Sequence, residues 1–195
     1  MLFPKTCTTL LLCALAALSS AATATAADTS VSILKAADVA NLVPATVFFR
    51  GQVASVQARN AGGLKLPDGM LVLCALVDTS GYSTAVQQKY QAYFISEVTL
   101  DINGQVLKPG AYGVGFIEGS KFLVMDLGAH DLFMTDGKRD ADLKRPMPLQ
   151  VLADTAPNSY RLYINRNYVV VSPTGKRTCT KGVDRRPVIP VRLRG

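Results

Sequence analysis

Residues 92–104, which read AYFISEVTLDING, carry the strongest structural signal in the chain. From Ala92 to Ile102, small or apolar side chains occupy every second position. Successive side chains of a β-strand face opposite sides, so this alternation predicts one half-buried strand over Ala92–Ile102. Asn103-Gly104 follows directly and is a strong signal for a two-residue hairpin turn. A strand that ends in such a turn indicates antiparallel pairing.

Similar signals recur on both sides of this segment. Met70–Val77 is an uninterrupted apolar run, typical of a strand covered on both faces. Shorter patterns predict strands at 46–50, 53–59, 111–117, 121–127, 148–153, 160–164 and 168–171. A short helix is predicted at 36–42, a loop at 60–63 and irregular structure at 128–146. Eight to ten short strands predict an all-β fold, either a single antiparallel β-sandwich or a small barrel.

The first 27 residues have the pattern of a secretory signal peptide. Lys5 precedes an apolar stretch from Thr9 to Leu18, and Ala24-Thr25-Ala26 provides an A-x-A cleavage site. The apolar stretch is shorter than the roughly 20 residues that span a bilayer. We therefore expect residues 1–27 to be cleaved and the mature protein to be exported, to a periplasm or to the medium.

The positive charge of the chain is concentrated at its carboxyl end. The sequence carries a formal net charge of +7, yet residues 28–171 contain thirteen basic and thirteen acidic side chains. Residues 172–195 contain seven basic side chains against Asp184 alone. We therefore divide the mature chain into a lead-in (28–45), a β-sandwich domain (46–171) and a basic, partly disordered tail (172–195). The tail is expected to govern any affinity for anionic surfaces.

Two cysteines remain after removal of the signal peptide, Cys74 in an apolar strand and Cys179 in the tail. Disulfides persist in oxidising compartments, so an even pair in an exported protein predicts a Cys74–Cys179 bridge. The alternative is two unrelated thiols, one of them buried.

Catalytic motifs are weak in this sequence. Asp78-Thr79-Ser80-Gly81 is similar to an aspartic-protease motif, but Ser80 interrupts it, and an Asx turn that closes the preceding strand is the better interpretation. His130 lies between Asp126 and Asp131, which suggests an alternative acid–base or metal site. No nucleophile elbow or phosphate-binding glycine loop occurs. We assign no catalytic residue, metal ligand or cofactor.

A binding site formed by loops is a stronger expectation than a catalytic site, because binding residues often lie on loops that a rigid scaffold holds in place. We expect the candidate site residues to lie together at one end of the domain. They are Asp78, Ser80, Tyr82, His130 and Arg145.

Residues 107–116, LKPGAYGVGF, resemble a hairpin found in secreted bacterial β-sandwich proteins. The resemblance extends over about residues 46–171 and implies the sandwich fold and export. It carries over no functional residues.

Three functions are compatible with these patterns. The leading hypothesis is a secreted or periplasmic non-catalytic β-domain that binds a small ligand or a partner in the cell envelope. The first alternative is a small hydrolase or metal-dependent enzyme that uses Asp126, His130 and Asp131. The second is a protein that binds anionic polymers or membrane surfaces through its basic tail. No pattern indicates recognition of a specific nucleic acid.

Overall fold

The computed structural model describes residues 30–174, which form an all-β sandwich of two antiparallel sheets. These residues contain fourteen strands: β1 (Ser32–Leu34), β2 (Thr46–Phe49), β3 (Gln52–Lys65), β4 (Leu71–Val77), β5 (Ala92–Ser96), β6 (Leu100–Ile102), β7 (Gln105–Leu107), β8 (Gly110–Ile117), β9 (Lys121–Met125), β10 (Asp131–Asp136), β11 (Lys138–Arg139), β12 (Leu149–Ala153), β13 (Tyr160–Ile164) and β14 (Asn167–Pro173). Two helices of one turn each are α1 (Ala36–Val39) and α2 (Thr84–Gln87). The described part of the chain has no helix long and apolar enough to cross a membrane.

The two sheets differ in size and share one core. The large sheet has eight strands in the order β1-β3-β4-β5-β8-β9-β10, with β2 paired to β3. The small sheet has six strands in the order β12-β13-β14-β6-β7, with β11 paired to β14. Phe94 and Phe122 of the large sheet pack with Leu100, Leu162 and Val169 of the small sheet in the main hydrophobic core. The sandwich prediction is confirmed, with more strands than the eight to ten expected because several have only two to four residues.

The prediction of one strand over Ala92–Ile102 is wrong in one respect. The chain leaves the large sheet after Ser96 and enters the small sheet at Leu100. The Ser96 hydroxyl donates to the Val98 carbonyl oxygen at 2.6 Å and stabilises the crossing. Both sheets face the same core, so every second residue stays turned inward across the bend. The alternation of inward-facing residues therefore continues through 97–99, although the strand is interrupted there.

The hairpin prediction at Asn103-Gly104 is confirmed. These residues join β6 to β7 with φ of 49° and 85°. Both turn residues thus lie in the left-handed region, which the asparagine-glycine pair tolerates better than other residues.

The loop predicted at 60–63 is part of β3 instead. Gly62 pairs with Cys74 and Gly63 with Leu73, beyond an irregularity in the β3–β4 register. A Cβ on Gly63 would overlap the Val72 carbonyl oxygen, so this glycine permits a close approach of two strands and does not form a turn.

The stretch predicted as irregular, 128–146, contains the two strands β10 and β11. β10 is an edge strand, and Leu132 and Met134 on it are each 48% exposed. Apolar residues therefore lie on both faces of β10, so its sequence lacks the alternation of polar and apolar residues that predicts a strand.

The folded unit extends beyond the predicted limits of 46 and 171. In the segment assigned as a lead-in, β1 pairs with β3, and Val39 of α1 is fully buried. At the other end β14 continues to Pro173, and the Thr174 amide donates to the Thr99 carbonyl oxygen at 2.9 Å. The predicted signal peptide and residues 175–195 of the tail lie outside the described residues.

Strand β4 is covered on both faces, as predicted. One face contributes Val72 and Cys74 to the main core, and the other packs against α1 through Leu73 and Ala75. Burial raises the pKa of the Cys74 thiol. Its predicted partner Cys179 lies outside the described residues, so the bridge stays a prediction.

Candidate functional site

Asp78 and Ser80 form the Asx turn that the sequence predicts. The Asp78 carboxylate accepts the backbone N–H of Ser80 at 3.0 Å, directly after β4 ends. Hydrogen bonds from the Ser80 backbone and hydroxyl lower the pKa of Asp78. Both residues are exposed. The carboxylate therefore closes the strand end, and its charge remains accessible to solvent.

Tyr82 has a structural role that the sequence interpretation missed. Its side chain is buried, and its hydroxyl lies 3.1 Å from the carbonyl oxygen of Phe49 and 3.3 Å from that of Gln52. Its ring packs edge-on against Phe49 and Tyr90. Tyr82 thus holds the β2–β3 hairpin on the outer face of the large sheet, and its hydroxyl is engaged with the backbone of that hairpin.

His130 lies in the β9–β10 loop beside Asp126. Its Nδ1 is 2.9 Å from the Asp126 carboxylate, which also accepts the His130 backbone N–H at 2.9 Å. The His130 side chain is 81% exposed. Asp131 instead forms an ion pair with Lys89 at 2.8 Å. The structure therefore does not assemble Asp126, His130 and Asp131 into the acid–base set of the enzyme alternative, and residues 30–174 contain no cluster of three metal-binding side chains.

The Asp126–His130 pair makes a testable pH prediction. The hydrogen bond from the His130 backbone, followed by the one from its ring, lowers the pKa of Asp126. Because that pKa is lower in the folded state, the pair should stabilise the loop above about pH 4, the range of an unfolded aspartate. The stabilisation should be lost as the pH falls through the lowered pKa of Asp126. We expect an NMR titration of the Asp126 carboxyl to have its midpoint below the usual aspartate value.

A His130→Ala variant provides the control, because it keeps the backbone donor. Most of the decrease in the pKa of Asp126 should persist in this variant. A return to the value of an unfolded aspartate would show that the backbone bond is not the main cause.

Arg145 belongs to a different part of the fold. It lies in the segment 140–148, which links β11 to β12 and which we call the strap. The Asp78 loop and the Asp126–His130 loop both contact the β2–β3 hairpin, since Asp78 N–H donates to Ser55 and Arg50 N–H donates to Leu127. The hydrogen bonds of the strap run instead to Tyr163 of β13 and to Arg166 of the β13–β14 turn. Asp78, Tyr82 and His130 thus share the outer side of the large sheet, and Arg145 is not joined to them.

The strap is fixed to the small sheet by Arg166. This residue lies in the β13–β14 turn, and its Nη1 donates to the carbonyl oxygens of Ala141 at 2.8 Å and Leu143 at 3.2 Å. From the other side, the buried Tyr163 donates its hydroxyl to the Asp140 carboxylate at 2.9 Å. One guanidinium and one phenol therefore hold a segment that has no regular secondary structure of its own.

An open groove of about 410 Å³ lies between the strap and the β13–β14 turn. Its lining consists of Arg139, Pro146, Met147, Pro148, Asn165, Arg166 and Asn167. The Asn165 N–H donates to the Pro148 carbonyl oxygen at 3.0 Å, which connects the two walls. This volume lies within the range of small-molecule sites. A second cavity, between the sheets beside Cys74, measures about 10 Å³ and holds at most one water molecule.

The chain matches no protein-family model, no curated protein and no solved structure. The site must therefore be argued from its own residues.

Sequence reasoning missed most of the groove. Arg139 and Arg166 are separated by two strands and the strap, and no local spacing relates them. The Asn165-Arg166-Asn167 turn carried no usable signal, because asparagine is a common turn residue and Asn165 has a φ of 56°. Only the fold brings Arg139 and Met147 to this turn.

Proposed function

We propose that the protein is an exported, non-catalytic β-sandwich domain that binds a ligand or partner of the cell envelope in the groove between the strap and the β13–β14 turn. The observation that carries the proposal is the groove itself, which combines polar side chains with the apolar Pro146, Met147 and Pro148. Such a combination of apolar lining and a few placed polar groups is typical of ligand sites.

The rigid surroundings of the groove support this proposal. Arg166 is held by the strap carbonyls, and the Asn167 amide oxygen accepts from the Ser120 hydroxyl at 3.3 Å. Side chains fixed before binding lose little conformational entropy when a ligand arrives. The polar wall is therefore preorganised.

The enzyme alternative has less support, because Asp131 is paired with Lys89 and His130 is on an open surface. Binding of anionic surfaces through the basic tail, residues 172–195, remains a separate hypothesis, and the seven basic residues of that tail lie outside the described residues. This hypothesis differs from the other two because binding through the tail would need no folded site.

An NMR titration locates the surface that binds. The ¹⁵N-labelled mature chain is titrated with soluble fractions of a bacterial envelope extract, divided into glycans, peptides and small metabolites. We expect amide shifts at Arg139, Met147 and 165–167. Shifts confined to Asp78 and the 126–130 loop would favour the outer side of the large sheet, and shifts confined to 175–195 would favour the tail. Either result would contradict a binding function of the groove.

The export part of the proposal is tested separately. Expression of the full chain in a bacterial host should yield an envelope protein whose amino terminus is Ala27 or Asp28. A Leu11→Arg variant, which places a charge in the apolar stretch, should remain uncleaved in the cytoplasm, whereas Lys5→Arg should be exported normally. Equal processing of both variants would contradict the signal-peptide assignment.

The same exported material tests the predicted disulfide. Denatured but unreduced protein should resist alkylation at Cys74 and Cys179, and reduction should expose both thiols. Alkylation of both cysteines without reduction would show that no bridge forms.

A further inference from the structure

We infer that the groove binds an organic anion, with the guanidinium groups of Arg139 and Arg166 on its carboxylate or phosphate and with Met147 and its flanking prolines against its apolar part. This inference rests on the proposed function and narrows it to one class of ligand. It also places an anion site on the folded domain, although the domain as a whole is neutral.

The charges around the groove are unbalanced. Five basic residues belong to the groove, the strap or the adjoining strand: Lys138, Arg139, Lys144, Arg145 and Arg166. Within residues 30–174 none of the five forms an ion pair, and among the other lysines and arginines of this part only Lys89, Lys121 and Arg161 have one. What distinguishes the five is that they lie in neighbouring segments. A local excess of positive charge therefore faces solvent here.

The acidic residues of the strap do not neutralise this excess. Asp140 accepts the Tyr163 hydroxyl at 2.9 Å and the Asp142 N–H at 3.1 Å, and so it serves the internal structure of the strap. Asp142 is exposed and is the only other carboxylate between Lys138 and Pro148. Lys138 faces the other side of β11 from Arg139, and its charge acts on Asp154. The excess at the groove therefore consists of Arg139, Arg166 and the strap residues Lys144 and Arg145, against the two acidic groups of the strap.

The two arginines of the groove differ in how firmly their guanidinium groups are held. Arg166 uses Nη1 for the strap carbonyls, while its Nε and Nη2 make no hydrogen bond to any described residue. A guanidinium carries five N–H donors in a planar fork that matches carboxylate and phosphate oxygens. Arg139 is exposed, and its backbone pairs with Asn167, which places it directly opposite the turn. The groove is therefore lined by one guanidinium that is held in place, that of Arg166, and by one that is exposed, that of Arg139.

The apolar part of the lining indicates that the ligand is more than an inorganic ion. Met147 is 46% exposed although it lies between two prolines that line the groove. An exposed thioether beside guanidinium groups suits an amphipathic anion. The charged group of such a ligand would contact the guanidinium groups, and its apolar part would contact Met147 and the prolines.

The test uses four small probes on the full mature chain. Benzoate and phenyl phosphate carry a ring with a carboxylate or a phosphate, benzyl alcohol carries the ring alone, and inorganic phosphate lacks the ring. We expect benzoate or phenyl phosphate to shift the amides of Met147 and 165–167, and whichever binds tighter identifies the headgroup. Benzyl alcohol and inorganic phosphate should bind at least about tenfold more weakly, because each lacks one of the two contacts.

The matched variants are Arg139→Gln and Arg59→Gln. Within residues 30–174 the Arg139 side chain makes no hydrogen bond, ion pair or ring contact, so the variant should fold normally and lose about tenfold or more in affinity. Arg59 is an exposed arginine on β3, outside the groove lining, and its variant should bind within about twofold of the parent. A further full-length variant with glutamine at the seven basic tail positions should retain the groove shifts.

Three results would overturn the inference. The first is equal binding of benzyl alcohol and benzoate, and the second is equal affinity of Arg139→Gln and Arg59→Gln. The third is loss of the groove shifts when the tail is neutralised. The proposed function would survive the first two results if an uncharged envelope component still shifted the groove amides, so the two failures are distinguishable.

Discussion

Replacing Gly115 by alanine is expected to lower the free energy of unfolding by about 3 kcal/mol or more. A Cβ at this position of β8 would overlap the carbonyl oxygen of Lys89 and lie 3.1 Å from its carbonyl carbon. The segment that carries Lys89 is tied to β8, because the Gln91 side chain accepts from the Phe116 N–H at 3.0 Å and donates to its carbonyl oxygen at 2.8 Å. The added methyl group must therefore push the covering segment off the sheet.

Gly62→Ala is the matched control for this experiment. Its Cβ would lie at ordinary contact distance, 3.5 Å from Leu149 and 3.6 Å from Val151. We expect this variant to differ from the parent by less than about 1 kcal/mol. Urea unfolding followed by circular dichroism measures both variants, and similar midpoints for the two would show that the Gly115 contact can relax.

The Phe49→Ala variant is expected to lose about 3–5 kcal/mol. Phe49 is fully buried and stacks on Tyr90 with ring centroids 3.8 Å apart. Its removal leaves a cavity beneath the β2–β3 hairpin and takes away the ring against which Tyr82 packs. Strand β2 is then held by its pairing with β3, by the Arg50–Leu127 backbone hydrogen bond and by the Tyr82 hydroxyl, whose acceptors are backbone oxygens.

Phe48 provides the comparison within the same strand. It is 59% exposed and faces away from the sheet, so Phe48→Ala should change stability by less than about 0.5 kcal/mol. Thermal and urea unfolding of the two variants give the difference directly. A stability loss of equal size at both positions would contradict the assignment of inner and outer faces in β2.

The sequence predicted the fold class because most of its signals are local. Alternation in Ala92–Ser96, the turn at Asn103-Gly104 and the apolar run that forms β4 depend only on neighbours in the chain. The change of sheet after Ser96 is different, since both halves of that segment face one core and no residue pattern marks the crossing. Gly62 and Gly63 were assigned to a loop for a different reason: adjacent glycines after an asparagine are typical of a turn, whereas here they pair with β4 and allow a close approach of the two strands.

The candidate site was less predictable than the fold. The sequence placed Asp78 in an Asx turn correctly, yet it could not show that Tyr82 is turned inward to the hairpin. Arg145 was selected as a loop residue, whereas the groove near it depends on Arg139 and Arg166, which meet only when β11 pairs with β14. Pairings between distant strands determine such sites, and single-sequence patterns do not contain them.

The position of β14 has a consequence for how the domain is made. Strand β6 pairs with its neighbour β7 on one side, but its partner on the other side is β14, the last described strand, through pairs such as Ile102 with Val171. Until that strand emerges from the ribosome, β6 and β13 each present an open edge, and unpaired edges promote association between chains. A chain that terminates or is cut before residue 167 would therefore lose the centre of one sheet, and its fate would be aggregation or degradation instead of a slightly shortened native protein.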